Sequence, residues 1–399
     1  MFLVSEANKS MGKYLITIYK NKRVLALMDN DRLVQASFMS LVHDKGLGVG
    51  GIVRGRIAQK QVQLQAFFVQ VSPSDVVYLP FSNVLGELSA YKEGDEISVQ
   101  IIKEAIKSKK AVATMDLSIS GKYCVVHDKQ GAVNYSHKLG ARTLSALKKT
   151  VGTSLSELGR VITVRTNAGG AEPKLIIEEA RRLSSQLDGI CSVMDSRKIY
   201  TALYSGGSEY VRALRDTYDH LYDEILTDDE EVYKELLQSR EEGLITQAVT
   251  HYSGKNKVMS LLNAYKLGEK LDQAFSKQVY LPCGGNIVIE YTEAMTVIDV
   301  NTGKCETRKD KEELICLVNS QGASEIMHQL RLRNLSGMIL VDFINMEDAH
   351  HQAELLIQLR NLAKEDPVHV SIIDMTPLGI VEITRTKVNK SLKQEFDEA

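Results

Sequence analysis

At 399 residues the chain is too long for one ordinary core, and two or three domains are expected. Its 44% hydrophobic and 25% charged residues match globular averages, which excludes a fibrous or disordered chain. The 49 Lys and Arg nearly balance the 51 Asp and Glu, leaving a net charge of −2. Any nucleic-acid partner must therefore be met by basic residues gathered locally.

The five cysteines, Cys124, Cys191, Cys283, Cys305 and Cys316, are scattered, with no CxxC and no local Cys/His cluster. A reducing compartment fits, and neither a zinc site nor a disulfide framework is expected. No apolar run approaches the roughly 20 residues of a membrane span. Met1-Phe2-Leu3-Val4 gives way at once to Ser5-Glu6, too short for a signal peptide. The expectation is a cytoplasmic protein with no membrane partner.

In chain order, residues 13–38 alternate as strands (KYLITIY, RVLALM) joined by turn-like NK and DND segments. Five short strands follow in 47–119, with Gly94-Asp95 as a turn, the size of a small Greek-key OB barrel. Residues 120–207 mix strands (KYCVV, RVITVRT) with amphipathic helices near 141–150 and 171–187. The 208–277 stretch reads as mainly helical and acidic, DDEE at 228–231 marking a helix start. From 278 onward the order strand, strand, helix, strand, helix, strand predicts an α/β layered unit. Gly46-Leu47-Gly48-Val49-Gly50-Gly51 matches a dinucleotide fingerprint formally, but it leads into a strand and is rejected.

Two apolar strands end in aspartate: Met295–Val300 carries Asp299, and Gly337–Phe343 carries Asp342. In open α/β sheets, functional groups gather beyond the carboxyl ends of strands. Asn301, two residues after Asp299, shares its face. If the strands are neighbours, about 4.8 Å apart, both carboxylates reach one hard cation such as Mg²⁺. For a single strand-end Asp, turn or cap chemistry is the favoured reading, and D-V-N-T-G is a good turn. Two such strands in one unit give the metal reading equal standing.

In the barrel, Phe67, Phe68 and Tyr78 offer aromatic faces, while Lys103, Lys107, Lys109 and Lys110 cluster between the fourth and fifth strands. Bases stack on aromatics and phosphates meet lysines. Neighbours on a strand face opposite ways, so one of Phe67 and Phe68 is expected in the core. Arg165-Thr166-Asn167-Ala168-Gly169-Gly170 precedes a helix and offers a guanidinium, a hydroxyl and backbone N–H groups to a terminal phosphate. His350 and His351 diverge on a helix and join no shared site.

The segments LPCGGNIVIEYTEAMTVIDVNTGK (281–304), QLRLRNLSGMILVDFINM (329–346) and LGIVEITRTKVNKSL (378–392) closely resemble the catalytic region of the ribonuclease E/G family. The resemblance runs in order through nearly the whole chain. It implies a multidomain α+β protein: an RNase H-like scaffold split between 1–46 and 208–277, an S1-type OB-fold barrel at 47–119, a 5′-sensor subdomain at 120–207, and a DNase I-like α/β catalytic subdomain at 278–399.

By the same resemblance Asp299 and Asp342 fall on Mg²⁺ ligands (Mn²⁺ as the alternative ion), and Asn301 on their catalytic partner. Arg165 and Thr166 fall on the 5′-phosphate sensor, and Phe68, Tyr78, Lys103 and Lys109 on the RNA path. The function implied is single-strand-specific endoribonuclease cleavage of A/U-rich RNA in RNA processing or mRNA decay, leaving 5′-phosphate and 3′-OH ends.

The departures are specific. The family usually continues into a zinc-binding cysteine pair and a small dimerisation domain, and here the sequence stops at Ala399. No zinc-linked tetramer is therefore expected, which leaves a homodimer through the catalytic subdomain as the implied assembly. Asn345 replaces a common Asp, His137 and His369 stand where Arg is frequent, and Val71 where an aromatic is. These departures support an alternative reading, a non-catalytic RNA-binding regulator using the barrel. Intact Asp299, Asn301 and Asp342 speak for the enzyme.

Overall fold

A computed structural model describes residues 12–41, 48–105, 110–253, 259–292, 294–305 and 310–399. The chain divides into two compact units. One comprises Met1–Leu41, Tyr222–Glu230 and Thr250–Ala399; the other comprises Val42–Leu221 and Glu231–Val249.

The second unit begins with a closed five-stranded barrel: β1 (Ile52–Gln61), β2 (Ala66–Gln70), β3 (Val76–Pro80), β4 (Glu96–Lys103) and β5 (Val112–Thr114). β1 pairs with both β2 and β4, β4 with β5, and β5 runs parallel to β3, closing the ring in the OB-like order. Alternation drives it, since Phe67, Val69, Val77, Leu79 and Val99 point inward and are buried. Gly55 allows the tight packing of β1 on β2, because a Cβ there would lie 2.8 Å from the Gln70 carbonyl.

Beyond the barrel, Val133–Tyr135, Arg160–Val164, Cys124–Gln130 and Ser118–Ser120 form a four-stranded sheet. Helices α1 (Ala141–Ser156) and α2 (Pro173–Met194) share its core. In α2 the buried residues Ile176, Ala180, Leu183, Leu187 and Ile190 recur at helical spacing, and Pro173 opens the first turn.

In the first unit, Gly12–Tyr19 and Lys22–Asp29 form a hairpin whose turn places Lys20 and Asn21 at positive φ, as a type I′ turn demands. The expectation of a mainly helical 208–277 needs correction. Among the described residues there, four α-helices and a 3₁₀ turn lie alongside two strands, Tyr222–Thr227 and Ala248–His251. Tyr222–Thr227 pairs parallel with Gly12–Tyr19, a partner some two hundred residues away that local pattern cannot reveal.

The C-terminal layer of this unit follows the predicted order and adds three further elements. Its six strands are β6 (Gln278–Tyr280), β7 (Asn286–Tyr291), β8 (Met295–Asn301), β9 (Gly337–Asp342), β10 (Val370–Met375) and β11 (Ile380–Arg385). They lie in the order β6-β7-β8-β9-β11-β10, and only β8 and β9 run parallel. α3 (Lys311–Leu332) makes the crossover between that pair, and α4 (Ala349–Ala363) follows β9. Both helices bury against one face of the sheet through Ile298, Ile339, Val341, Ile326 and Leu359. A short helix, Leu392–Glu398, starts with a capping box at Ser391. Among the described residues no helix is long and apolar enough to cross a membrane.

Candidate functional site

β8 and β9 run parallel in a register that sets Asp299 directly opposite Asp342. Alternation turns Ile298, Val300 and Val341 into the helix-covered core, so both aspartates emerge on the other face and are exposed. Neighbouring strands stand about 4.8 Å apart, which brings the two carboxylates within reach of one cation. Asn301 shares that face and donates its side-chain N–H to Oδ2 of Asp299 at 2.7 Å. Val297, two residues before Asp299 on the same face, is 37% exposed, and Met338, four residues before Asp342, is 51% exposed. Two hard oxygen donors with an amide fixing one of them fit Mg²⁺, which needs one or two carboxylates and completes its shell with water and phosphate oxygens.

The backbone after Asp342 is tied down from α3. Asn319, buried at 1% exposure, donates to the Ile344 carbonyl at 2.7 Å and accepts the Ile344 N–H at 3.1 Å. This two-way amide clamp was not anticipated. Its trace in sequence is one Asn among the mostly apolar buried positions of α3. Asn345, the departure from the family pattern, lies over the turn before β11, where a Cβ on Gly379 would fall 2.7 Å from its Oδ1. After Asn301 the turn depends on Gly303, at φ +54 and too close to the Gly284 carbonyl for a side chain. The turn chemistry read from D-V-N-T-G is therefore present beside the carboxylate.

On the barrel, Phe67 is fully buried against Phe81 and Tyr91, while Phe68 turns outward and is half-buried. Phe68 and Tyr78 are cross-strand partners with ring centroids 5.9 Å apart, edge to face. The register continues from Tyr78 to Val112 and from Val112 to exposed Lys103, so aromatics and a cation share one row across the barrel. Lys107 and Lys109 lie outside the described residues; Lys110 is exposed. Val71 is buried in the barrel interior, so an aromatic there would have to enter the core.

Arg165 and Thr166 are both half-buried at the strand end they were expected to occupy. The Arg165 guanidinium donates to the Gly121 carbonyl at 2.7 Å and to Oδ1 of Asp216 at 2.6 Å. Thr166 Oγ1 lies 2.9 Å from Ser136 Oγ. Asp216 is also held by Arg215, and the two guanidiniums outweigh burial to keep its carboxyl below the usual range. A carboxylate thus occupies the fork that an incoming phosphate would need, a competitor 51 residues away in sequence.

The ribonuclease E/G family model matches residues 118–388, more than half of the chain. The chain belongs to the ribonuclease E/G family. It is 29% identical to ribonuclease G of Salmonella typhimurium over 86% of this chain and 74% of that protein. It is 27% identical to ribonuclease G of Escherichia coli K12, with the same coverage. Ribonuclease E of Haemophilus influenzae is 28% identical over 96% of this chain but only 42% of its own length.

As a ribonuclease E/G family member, the chain carries Arg165, Thr166, Asp299, Asn301 and Asp342 inside the matched span. Phe68, Tyr78 and Lys103 precede it, so for them the barrel's own geometry is the argument.

Proposed function

We propose that this chain is an endoribonuclease that cuts single-stranded RNA, with Asp299 and Asp342 holding a Mg²⁺ ion, or Mn²⁺ in its place, at the open face of the C-terminal sheet. The observation that carries the reading is the parallel register that sets these two carboxylates side by side. In this reading the last six-stranded layer is the DNase I-like catalytic subdomain, the N-terminal sheet the RNase H-like scaffold, and the four-stranded sheet with α1 and α2 the 5′-sensor.

Hydrolysis adds one water across the P–O3′ bond, leaving a 3′-hydroxyl on one fragment and a 5′-phosphate on the other. What a bound ion supplies is Lewis acidity toward the phosphate and a lowered pKa for the attacking water. Asp299 and Asp342 would hold that ion by their concentrated negative charge, and the Asn301 amide orients Asp299 by a hydrogen bond without adding charge. Phe68 and Tyr78 take unstacked bases and Lys103 a phosphate, which favours single strands because a duplex keeps its base faces covered. A/U-rich strands unstack at least cost and are the expected substrates. Cytoplasmic RNA processing or mRNA decay is the corresponding role.

The test is a cleavage assay on one A/U-rich sequence offered as single-stranded RNA, duplex RNA and DNA, each with Mg²⁺ and with EDTA. Cutting of single-stranded RNA alone, abolished by EDTA and leaving 5′-phosphate ends, is expected. RNA binding with no cutting under any condition would favour the non-catalytic regulator.

A further inference from the structure

The first turns of α3 and α4 converge on a cluster that chain-order spacing does not show. Glu312 and Cys316, four residues apart, share one face of α3, and α4 delivers His351 to the same place. One ligand atom from each lies within 4.8 Å of the others, and all three residues are half-buried. Ligands of a tetrahedral zinc, at about 2.0–2.3 Å from the metal, stand roughly 3.3–3.8 Å apart. Closing the cluster on an ion therefore takes about an ångström of side-chain movement. We propose that Glu312, Cys316 and His351 form a Zn²⁺ site, completed by water, that staples the start of α3 to the start of α4.

Three features favour a metal over a bare ion pair. The donor set of thiolate, imidazole and carboxylate suits a borderline-soft ion such as zinc, and is poorly matched to Mg²⁺. The Glu312 carboxylate is already aimed, since it accepts the backbone N–H groups of Glu347 and Asp348 at 3.2 and 3.3 Å. Such outer hydrogen bonds are what orient a ligating carboxylate. Burial, with the charges of Glu312, Glu354, Asp348 and Asp310, pushes the Cys316 thiol up, and the same negative field draws in a cation. Asp310 and Asp348 meanwhile cap the two helices through Glu313 and His350 N–H groups. They are thus committed elsewhere.

His350 takes no part. It diverges along α4 toward Glu354. The consequence lies in the segment after Asp342. Glu312 holds the Glu347 and Asp348 N–H groups, so an ion on Glu312 would stiffen the chain between β9 and α4.

The test uses the full chain with Asp299→Asn and Asp342→Asn already introduced, so that the carboxylate pair cannot supply the binding. After chelation, Zn²⁺ is titrated alone against a chromophoric competitor, and Co²⁺ is added separately to look for a thiolate-to-cobalt charge-transfer band. One equivalent of Zn²⁺ and a thiolate band are expected. Both should be lost on adding Cys316→Ser or His351→Gln and kept with His350→Gln. Circular dichroism without metal checks that each variant folds. No saturable binding, or a band that survives Cys316→Ser, would overturn the site. Neither result bears on whether wild-type protein cuts RNA.

Discussion

The Asn301 side chain donates to Oδ2 of Asp299 at 2.7 Å, on the strand whose register places Asp299 opposite Asp342. An amide in this position acts on the carboxylate's direction and leaves the charge count alone. Asn301→Ala should lower single-turnover cleavage by about 10- to 100-fold, the usual cost of losing an orienting partner, with RNA affinity unchanged. Unchanged cleavage would remove Asn301 from the site.

Arg385 and Asp366 form a two-pronged ion pair, at 2.9 and 3.2 Å, with side chains only 2% and 3% exposed. Arg385 also donates to the Leu335 carbonyl and the Asn334 side chain beside the start of β9. Asp366→Ala leaves a buried guanidinium unpaired and should destabilise the fold by about 3–5 kcal/mol in urea unfolding. A loss below about 1 kcal/mol would mean that water or another acid replaces Asp366 freely.

Burial, with Arg32, Arg331 and Arg333 nearby, pushes the His328 imidazole down to about 3. Its unfolded value is about 6.5, so the folded chain binds fewer protons between these limits. The sign follows: the neutral imidazole's contribution is complete above about pH 6.5 and is lost progressively as pH falls toward 3. His328→Gln should therefore flatten the fall in unfolding free energy from pH 7 to 5. An unchanged slope would place the acid sensitivity elsewhere.

Asp216 competes for the Arg165 guanidinium. If Arg165 receives a 5′-phosphate, Asp216→Asn should raise the preference for 5′-monophosphorylated over 5′-hydroxyl RNA, and Arg165→Ala should abolish it. The readout is the ratio of initial rates on the two substrates. A ratio indifferent to both changes would make Arg165 a purely structural clamp on Gly121.

Much of the architecture was legible because period-two alternation is a local signal. The alternating apolar runs of 47–119, with Gly94-Asp95 as a turn, were enough to place a barrel, and alternation required one of Phe67 and Phe68 to face inward; that it is Phe67 came from the structure. Tyr222–Thr227 was not legible, since YDEILT is short, acidic and flanked by helix formers. Its strand character comes from pairing with Gly12–Tyr19. At the candidate site, an apolar run ending in Asp was visible twice, but the parallel register joining Asp299 to Asp342 depends on the α3 crossover. Asn319, Asp216 and the Glu312–Cys316–His351 cluster were hidden because each acts across a packed interface that spacing along the chain does not encode.

The central claim is that Asp299 and Asp342 act together on one divalent ion in cutting RNA. The direct measurement is single-turnover cleavage of a labelled single-stranded oligoribonucleotide across a Mg²⁺ titration, by wild type, Asp299→Asn and Asp342→Asn, with RNA affinity measured alongside. Each variant should lose about a thousandfold or more in rate, matching several kcal/mol of charge stabilisation, and bind RNA as wild type does. Full cleavage by either variant, or parallel loss of binding and cutting in both, would contradict it.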